Sequence, residues 1–363
     1  MPANPILYNN KKIIEIKNVS NTLLLTWVIN NICTNHCSYC PANLHNGTNH
    51  HYDWEHAEKF IRDCFKRYGS VQCNLSGGEP TVSPFFKDLV NLIYDLGGVT
   101  NLTSNIVRSK DWWSNIASKL SCISVSYHPE FMESEEKENA FIEKILFLTE
   151  HTRITTRIMM HPDYWDQCYR FYQRLKKSNN GFCIEMVRIL PNFGIGAPFC
   201  DIEYTQEQED ILNSTLPIMH FNKLPDDFRH QRTESYAKYS DETADMLNFE
   251  VSSVLQNSKL NDFYGWSCDI GIESLFVYYD GAVQRGNCAE GGRIGNITTV
   301  VSWPGSGIIC SKHECHCIAD MIISKRIMPQ EEIVPDPVAV WEAMLKKDAE
   351  DAKILAGIQD LTL

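Results

Sequence analysis

A repeating rhythm constrains the fold more than any other feature of this chain. From residue 23 to about residue 190, short apolar runs alternate with segments of helical periodicity. Residues 23–29 are a run of the first kind. Asp53 is a suitable helix cap, and after it Trp54, Ala57, Phe60, Ile61, Cys64, Phe65 and Tyr68 recur at helical spacing until Gly69 stops them. Val71, Cys73 and Leu75 alternate like a strand. Ser83 and Pro84 open a helix that Gly97 and Gly98 close. Strands are then expected over 99–103, 122–127, 154–160 and 183–190, with helices over 110–120, 135–150 and 164–176. Alternation of this kind implies an α/β protein with a parallel sheet covered by helices. About six units are too few to close an eight-stranded barrel, so the expected fold is a partial (β/α)6 TIM-like barrel, with function at the C-terminal strand ends.

The chain of 363 residues carries 33 Lys+Arg against 46 Asp+Glu, a net charge of −13. That balance argues against duplex nucleic acid and anionic membranes as partners, because both select for basic residues. No apolar run reaches the roughly 18 residues of a membrane span. The first residues lack the basic-then-apolar pattern of a secretory signal, so a cytoplasmic location is expected. Fourteen cysteines in a reducing compartment point to metal or catalytic chemistry more than to disulfides. They are unevenly placed. Cys33, Cys37 and Cys40 stand together, as do Cys268, Cys288, Cys310, Cys315 and Cys317, while the other six are scattered singly and read as small core residues.

The first group follows the first strand as C-x3-C-x2-C. Zinc takes four protein ligands, or three plus water; iron–sulfur clusters are held by thiolates at similar short spacings. Three ligands on a cubane leave one iron open to a small molecule.

This spacing, with Tyr39 before the last cysteine, resembles the signature of the radical S-adenosylmethionine (radical SAM) superfamily. Gly77-Gly78-Glu79-Pro80 after the second strand is similar to that superfamily's GGE-P motif, and Thr103-Ser104-Asn105 to its polar motif after the third. The resemblance implies a [4Fe–4S] cluster on Cys33, Cys37 and Cys40 whose open iron chelates S-adenosylmethionine. It further implies one-electron cleavage to a 5′-deoxyadenosyl radical that abstracts a substrate hydrogen atom in a closed pocket. Tyr39 and Pro80 belong to the implied cofactor-binding motifs. Gly77 and Gly78 would let the backbone approach the methionine part. Glu79 either positions its amino group or braces the glycine turn. Ser104 and Asn105 would face the methionine or ribose, or form a turn. Ser126, Arg157 and Arg188 lie near later strand ends. Arg157 is placed to pair with the S-adenosylmethionine carboxylate and Arg188 with an anionic substrate group, or each makes a structural ion pair.

The second group surrounds a hairpin expected over 274–285 about Asp280-Gly281. A cysteine followed by glycine, a hairpin, a second cysteine and a downstream cysteine group resemble the Twitch and SPASM extensions of radical SAM enzymes. Five cysteines suffice for one fully ligated auxiliary [4Fe–4S] cluster. Cys268 and Cys288 flank the hairpin, and Cys310, Cys315 and Cys317 compete for the remaining places. Zinc, with His313 and His316 as further ligands, is the alternative. A four-cysteine cluster favours an electron-accepting role and a net oxidation.

The substrate is less constrained. The resemblance admits a peptide, giving a maturase-like enzyme, or a small metabolite, sugar or nucleotide that is oxidised or rearranged. A non-catalytic iron–sulfur or zinc protein is the remote alternative. A reducing partner such as flavodoxin or ferredoxin is implied. Only about 22 residues precede the first strand, so a peptide-binding protein is expected as a separate chain. His128 and His161 stand at strand ends before prolines, where they form turns or face the pocket. Trp112 and Trp113 read as packing; Cys73 and Cys122 lie within strands and could point inward; Arg285 adjoins the hairpin. No general base stands out. The expected units are an N-terminal extension (1–22), the barrel (23–199), a partly helical connection (200–262), the auxiliary cluster domain of β-hairpin plus helix (263–330) and a C-terminal helix (331–363).

Overall fold

The computed structural model describes residues 6–8, 10–47, 51–178, 181–190, 200–222, 224, 234–247, 255, 260–315 and 317–328. The expected C-terminal helix (331–363) lies outside them, as does His316. Among the described residues no helix is long and apolar enough to cross a membrane.

The expected alternation is present. Strands β3 (Leu23–Val28), β4 (Val71–Ser76), β5 (Val99–Ser104), β6 (Cys122–Tyr127), β7 (Arg153–Met159) and β8 (Cys183–Val187) pair in parallel and in sequence order. Helices α1 (Trp54–Tyr68), α2 (Phe86–Asp95), α3 (Lys110–Ser114), α4 (Glu135–Thr149) and α5 (Trp165–Ser178) connect them. Local chemistry sets the helix ends. The Asp53 carboxylate accepts from the His56 amide at the start of α1, and Gly69, at φ 72°, ends it. The helix expected over 110–120 is shorter: α3 gives way to a 3-10 turn at Ala117–Lys119.

Alternate strand residues point to opposite sides of the sheet. Leu25, Trp27, Cys73, Leu75, Ile123 and Val125 pack on the helix side against Phe60, Ile61, Leu89, Phe141 and Phe171. Cys73 therefore faces the helices, not the barrel interior. The buried Trp27 indole donates to Tyr52 Oη (2.8 Å), which donates to the Ile29 carbonyl (2.9 Å), so neither polar group is orphaned. The opposite side is polar. Thr26, Asn74 and Asn101 are register neighbours there, and so are Ser126, Arg157 and Glu185. With β12 (Ser274–Val277), β13 (Ala282–Gln284) and β14 (Arg293–Asn296), the full strand order is β14-β13-β12-β3-β4-β5-β6-β7-β8, and this sheet does not close on itself among the described strands, as a partial barrel requires.

Strands β12 (Ser274–Val277) and β13 (Ala282–Gln284) are the expected hairpin, with Gly281 at φ 80° in its turn, and β14 (Arg293–Asn296) follows. β12 lies parallel to β3, so this part of the C-terminal cysteine unit extends the barrel sheet. The rest joins a second, antiparallel sheet. It comprises β1 (Ile6–Tyr8), β2 (Lys11–Asn18), β9 (Ser235–Tyr239), β10 (Ala244–Leu247), β11 (Trp266–Cys268), β15 (Ile308–Ile309) and β16 (Lys325–Ile327). The residues read as an N-terminal extension thus supply β2, which pairs with both β9 and β16. In the connecting segment, α6 (Gln206–Ser214) starts at a Thr205–Gln208 capping box as its sequence suggests, whereas the hairpin β9–β10 was not anticipated. The second core gathers Ile13, Ile16, Tyr239, Phe263, Trp266 and Met321, and Leu24 of β3 joins it from the polar side of the barrel sheet.

Candidate active site and a second cysteine centre

The first three cysteines lie on the loop after β3, at the C-terminal ends of the parallel strands. The two ends of the loop are tied where Gly47 N donates to Asn31 O (2.8 Å), and within it Cys40 N turns back to Cys37 O (3.0 Å). Cys37 is buried, while Cys33 and Cys40 are half-buried. Burial raises all three thiols, Cys37 to about 12 and Cys40 to about 11, and repulsion from neighbouring thiolates adds to the rise in those two. Three buried or half-buried thiols on one loop are the all-sulfur donor set that an iron–sulfur centre takes.

The loop after β4 is locked to this one. Gly78 N donates to Asn30 O (3.0 Å) and Glu79 N to Ile32 O (2.8 Å), while Asn30 Nδ2 donates to Glu79 O (3.0 Å). The two glycines are required by that contact. A Cβ on Gly77, at φ 147°, would lie 2.5 Å from Asn30 O, and one on Gly78 would lie 2.3 Å from Ile32 O. Pro80 opens the 3-10 turn Pro80–Val82.

Glu79 ties in a third loop. It is 1% exposed. Oε1 accepts from Thr81 N (3.0 Å), Thr81 Oγ1 (2.5 Å) and Ser104 Oγ (2.9 Å), and Oε2 accepts from Asn105 N (2.8 Å). Burial raises this carboxyl, and the four donors oppose the rise. Of the two roles read for Glu79, the bracing of the turn is the one whose contacts are formed. Asn105 Nδ2 reaches Thr34 Oγ1 (3.0 Å) and lies 3.9 Å from Cys33 Sγ. Ser104, Asn105, Glu79 and the cysteine loop are therefore one assembly.

Two histidines complete it from the far side. Tyr39 Oη donates to His128 Nδ1 (2.7 Å), which also lies 3.5 Å from Cys37 Sγ. Burial lowers His128 to about 4, so it accepts as the neutral ring. His161 Nδ1 accepts from Asp163 N (3.2 Å), leaving Nε2 to donate to Ser38 Oγ (3.3 Å). Glu130 accepts from Ser38 N (3.1 Å). Sequence reading left the histidines between turn and pocket and did not mark Glu130. Their positions just after β6 and β7 were the available signal.

The remaining positions are spread out. Arg157 Nε donates to Glu185 (3.1 Å) on the neighbouring strand, with Ser126 beside it in register. Arg188 is held by Glu209 and Asn213. Both arginines thus make ion pairs within the chain. Trp113 is fully buried and Trp112 stacks on Phe86, as packing residues do.

The second centre is built on strand ends and turns. Cys268 ends β11. Cys310 N donates to Trp266 O (2.8 Å), Cys315 is held by Asn261 through its amide (3.0 Å) and carbonyl (2.9 Å), and Cys288 N donates to Asp320 Oδ2 (3.1 Å). Cys268 is within electrostatic reach of Cys288, Cys310 and Cys315. Cys317 precedes the short helix α7 (Ile318–Met321) and is influenced first by burial and Asp320. His313 is engaged elsewhere, paired with Asp262 (3.2 Å) and stacked on Tyr264 at 4.4 Å. Among the described residues no three His, Cys, Asp or Glu side chains converge as for a single metal ion.

Comparison with solved structures finds several of related shape. Native anSMEcpe with bound AdoMet and Kp18Cys peptide is 14% identical with a TM-score of 0.49, over 77% of this chain and 78% of that one. Streptococcus suis SuiB bound to S-adenosylmethionine is 12% identical with a TM-score of 0.48, over 78% and 66%. Archaeal TYW1 is 17% identical with a TM-score of 0.24, over 35% and 50%. No curated protein matches the chain. Residues 27–187, which run from β3 to the end of β8 and hold the three interlocked loops, match the Radical SAM superfamily model, so this part of the chain is a radical SAM domain.

Proposed function

We propose that this chain is a radical SAM enzyme that oxidatively modifies a peptide, with a Twitch- or SPASM-like centre as electron acceptor. The observation that carries the reading is buried Glu79, whose backbone bonds the cysteine loop and whose carboxylate joins the GGEP and Ser104-Asn105 loops at the strand ends. Cys33, Cys37 and Cys40 would hold a [4Fe–4S] cluster, which with S-adenosylmethionine supplies a 5′-deoxyadenosyl radical when both are bound. The chain's own residues do the positioning. Glu79 fixes the spacing of three loops, Tyr39 and His128 anchor the buried Cys37 side, and the glycines keep the loops in contact. Ser126 and Arg157 lie on the polar side of the sheet, where Arg157 can exchange its Glu185 partner for a ligand carboxylate.

A peptide substrate is supported by that polar side. Asn101 and Gln284 lie on it, and Asn101 Oδ1 and Gln284 Oε1 are buried acceptors without a donor. Buried acceptors seek partners, and the amide N–H groups of a peptide supply them. Cys268, Cys288, Cys310 and Cys315 form the proposed auxiliary set. Oxygen-sensitive clusters and free thiols suit the cytoplasm, where a flavodoxin or ferredoxin would deliver electrons.

The test uses anaerobically reconstituted full-length protein. Iron and sulfide for two clusters, deoxyadenosine formed from S-adenosylmethionine under reduction, and a dehydrogenated peptide product support the reading. Absence of iron overturns it, and turnover on a sugar or nucleotide instead of peptides overturns the substrate assignment.

A further inference from the structure

Lys325 is a lysine 3% exposed among the C-terminal cysteines. It lies on β16 directly opposite Cys268 of β11, so the two side chains share one side of the sheet. Its Nζ donates to the carbonyls of Asp320 (2.6 Å), Ile323 (3.1 Å) and Met321 (3.2 Å) and lies 4.8 Å from the centre of the Phe263 ring. Those carbonyls take all three ammonium protons, leaving none to donate to sulfur. The Asp320 carboxylate, also buried, points instead to Cys288 N. Three carbonyl oxygens converging on one buried Nζ form an acceptor cage that suits the ammonium form.

We propose that Lys325 is a positioning residue whose fixed charge raises the reduction potential of an iron–sulfur cluster held by Cys268, Cys288, Cys310 and Cys315. The proposal rests on the reading of that centre as an auxiliary cluster. Adding an electron makes a thiolate-bound cluster more negative, and a buried cation nearby favours the reduced form because little water screens it. Asp320 acts with the opposite sign. A centre tuned this way accepts electrons more readily than four thiolates alone would allow.

The test uses the full chain with Cys33→Ala, Cys37→Ala and Cys40→Ala, so that one cluster remains, and follows its midpoint potential by a redox titration read by electron paramagnetic resonance. Lys325→Met should shift the one-electron equilibrium at least tenfold toward the oxidised form, a fall of about 59 mV. Lys325→Arg should keep most of the parent value, and Asp320→Asn should raise it. Unmoved potentials in Lys325→Met and Asp320→Asn, or shifts of the same sign in both, overturn the proposal. If Lys325→Met fails to fold, Lys325→Gln decides in its place, and an unchanged or raised potential overturns the proposal. A parent protein that binds zinc or no iron there removes the auxiliary-cluster reading itself, an outcome visible before any potential is measured.

Discussion

The cysteines of the first centre lie on a loop, whereas those of the second sit at strand ends and turns next to a buried lysine. The loop keeps its shape because neighbouring loops and side chains grip it: Asn30 and Ile32 from within, Gly78 and Glu79 after β4, Asn105 after β5, His128 and His161 beyond. The second centre takes its shape from sheet pairing, with Cys268 in register between Ile308 and Lys325. A gripped loop leaves a side open for a ligand; a site set into a sheet favours enclosure and electron storage. The difference makes the first centre sensitive to loop contacts and the second to charge.

The sharpest way to break this comparison is to remove a cysteine from each. Cys37→Ala is expected to lose about four irons and to reduce deoxyadenosine formation to background. Cys268→Ala should lose a similar amount of iron yet still cleave S-adenosylmethionine. Equal loss of cleavage in both would merge the two roles. Next comes Gly78→Ala, whose Cβ would meet Ile32 O at 2.3 Å and Leu44 O at 2.7 Å. It should cost about 3 kcal/mol in urea unfolding, while Gly97→Ala, at φ 83° in open space, costs about 1 kcal/mol. Similar costs would show that the glycines are not the fastening between loops. Glu79→Gln should destabilise by about 1–3 kcal/mol and slow cleavage, since an amide nitrogen cannot accept from the donors now on the carboxylate.

The smallest effect is a pH slope. Burial lowers His128 from about 6.5 to about 4. The folded state therefore takes up its proton later than the unfolded chain does. Stability from the neutral ring is fully present above pH 6.5 and is lost as pH falls toward 4, by at most about 1.4 kcal/mol per pH unit. Unfolding of the cluster-free chain across that window should show the slope, and His128→Asn should flatten it.

The barrel was legible because its strands and helices obey local rules, as with the Asp53 cap, the Gly69 stop and the alternation of Val71, Cys73 and Leu75. The GGEP and cysteine motifs were legible as local strings. The grip on the loop was not: Glu130, His128 and His161 reach Ser38 and Tyr39 of the cysteine loop across some 90 to 120 positions, and no periodicity encodes such a contact. The same holds for the second sheet. β2 alternates too weakly to name its partners, and Lys325 looks like any surface lysine until its register with Cys268 is known. Arg157 and Arg188 are opposite cases, in which the expected residues stand near the strand ends but already hold carboxylate partners.

The place of β2 has a consequence for how the chain is made. Apart from β1, its partners lie far downstream: Asn18 N donates to Ser324 Oγ across 306 positions. At about 5–20 residues per second, synthesis leaves β2 without its last neighbour for roughly 15–60 s. During that interval Ile13 and Ile16, fully enclosed at the end, have no core to enter. The barrel strands β3 to β8, by contrast, pair with one another as they emerge, and only β3 waits for β12. The nascent chain thus passes through a stage in which the first cysteine loop has its strand neighbours and the second group of cysteines has not yet been made.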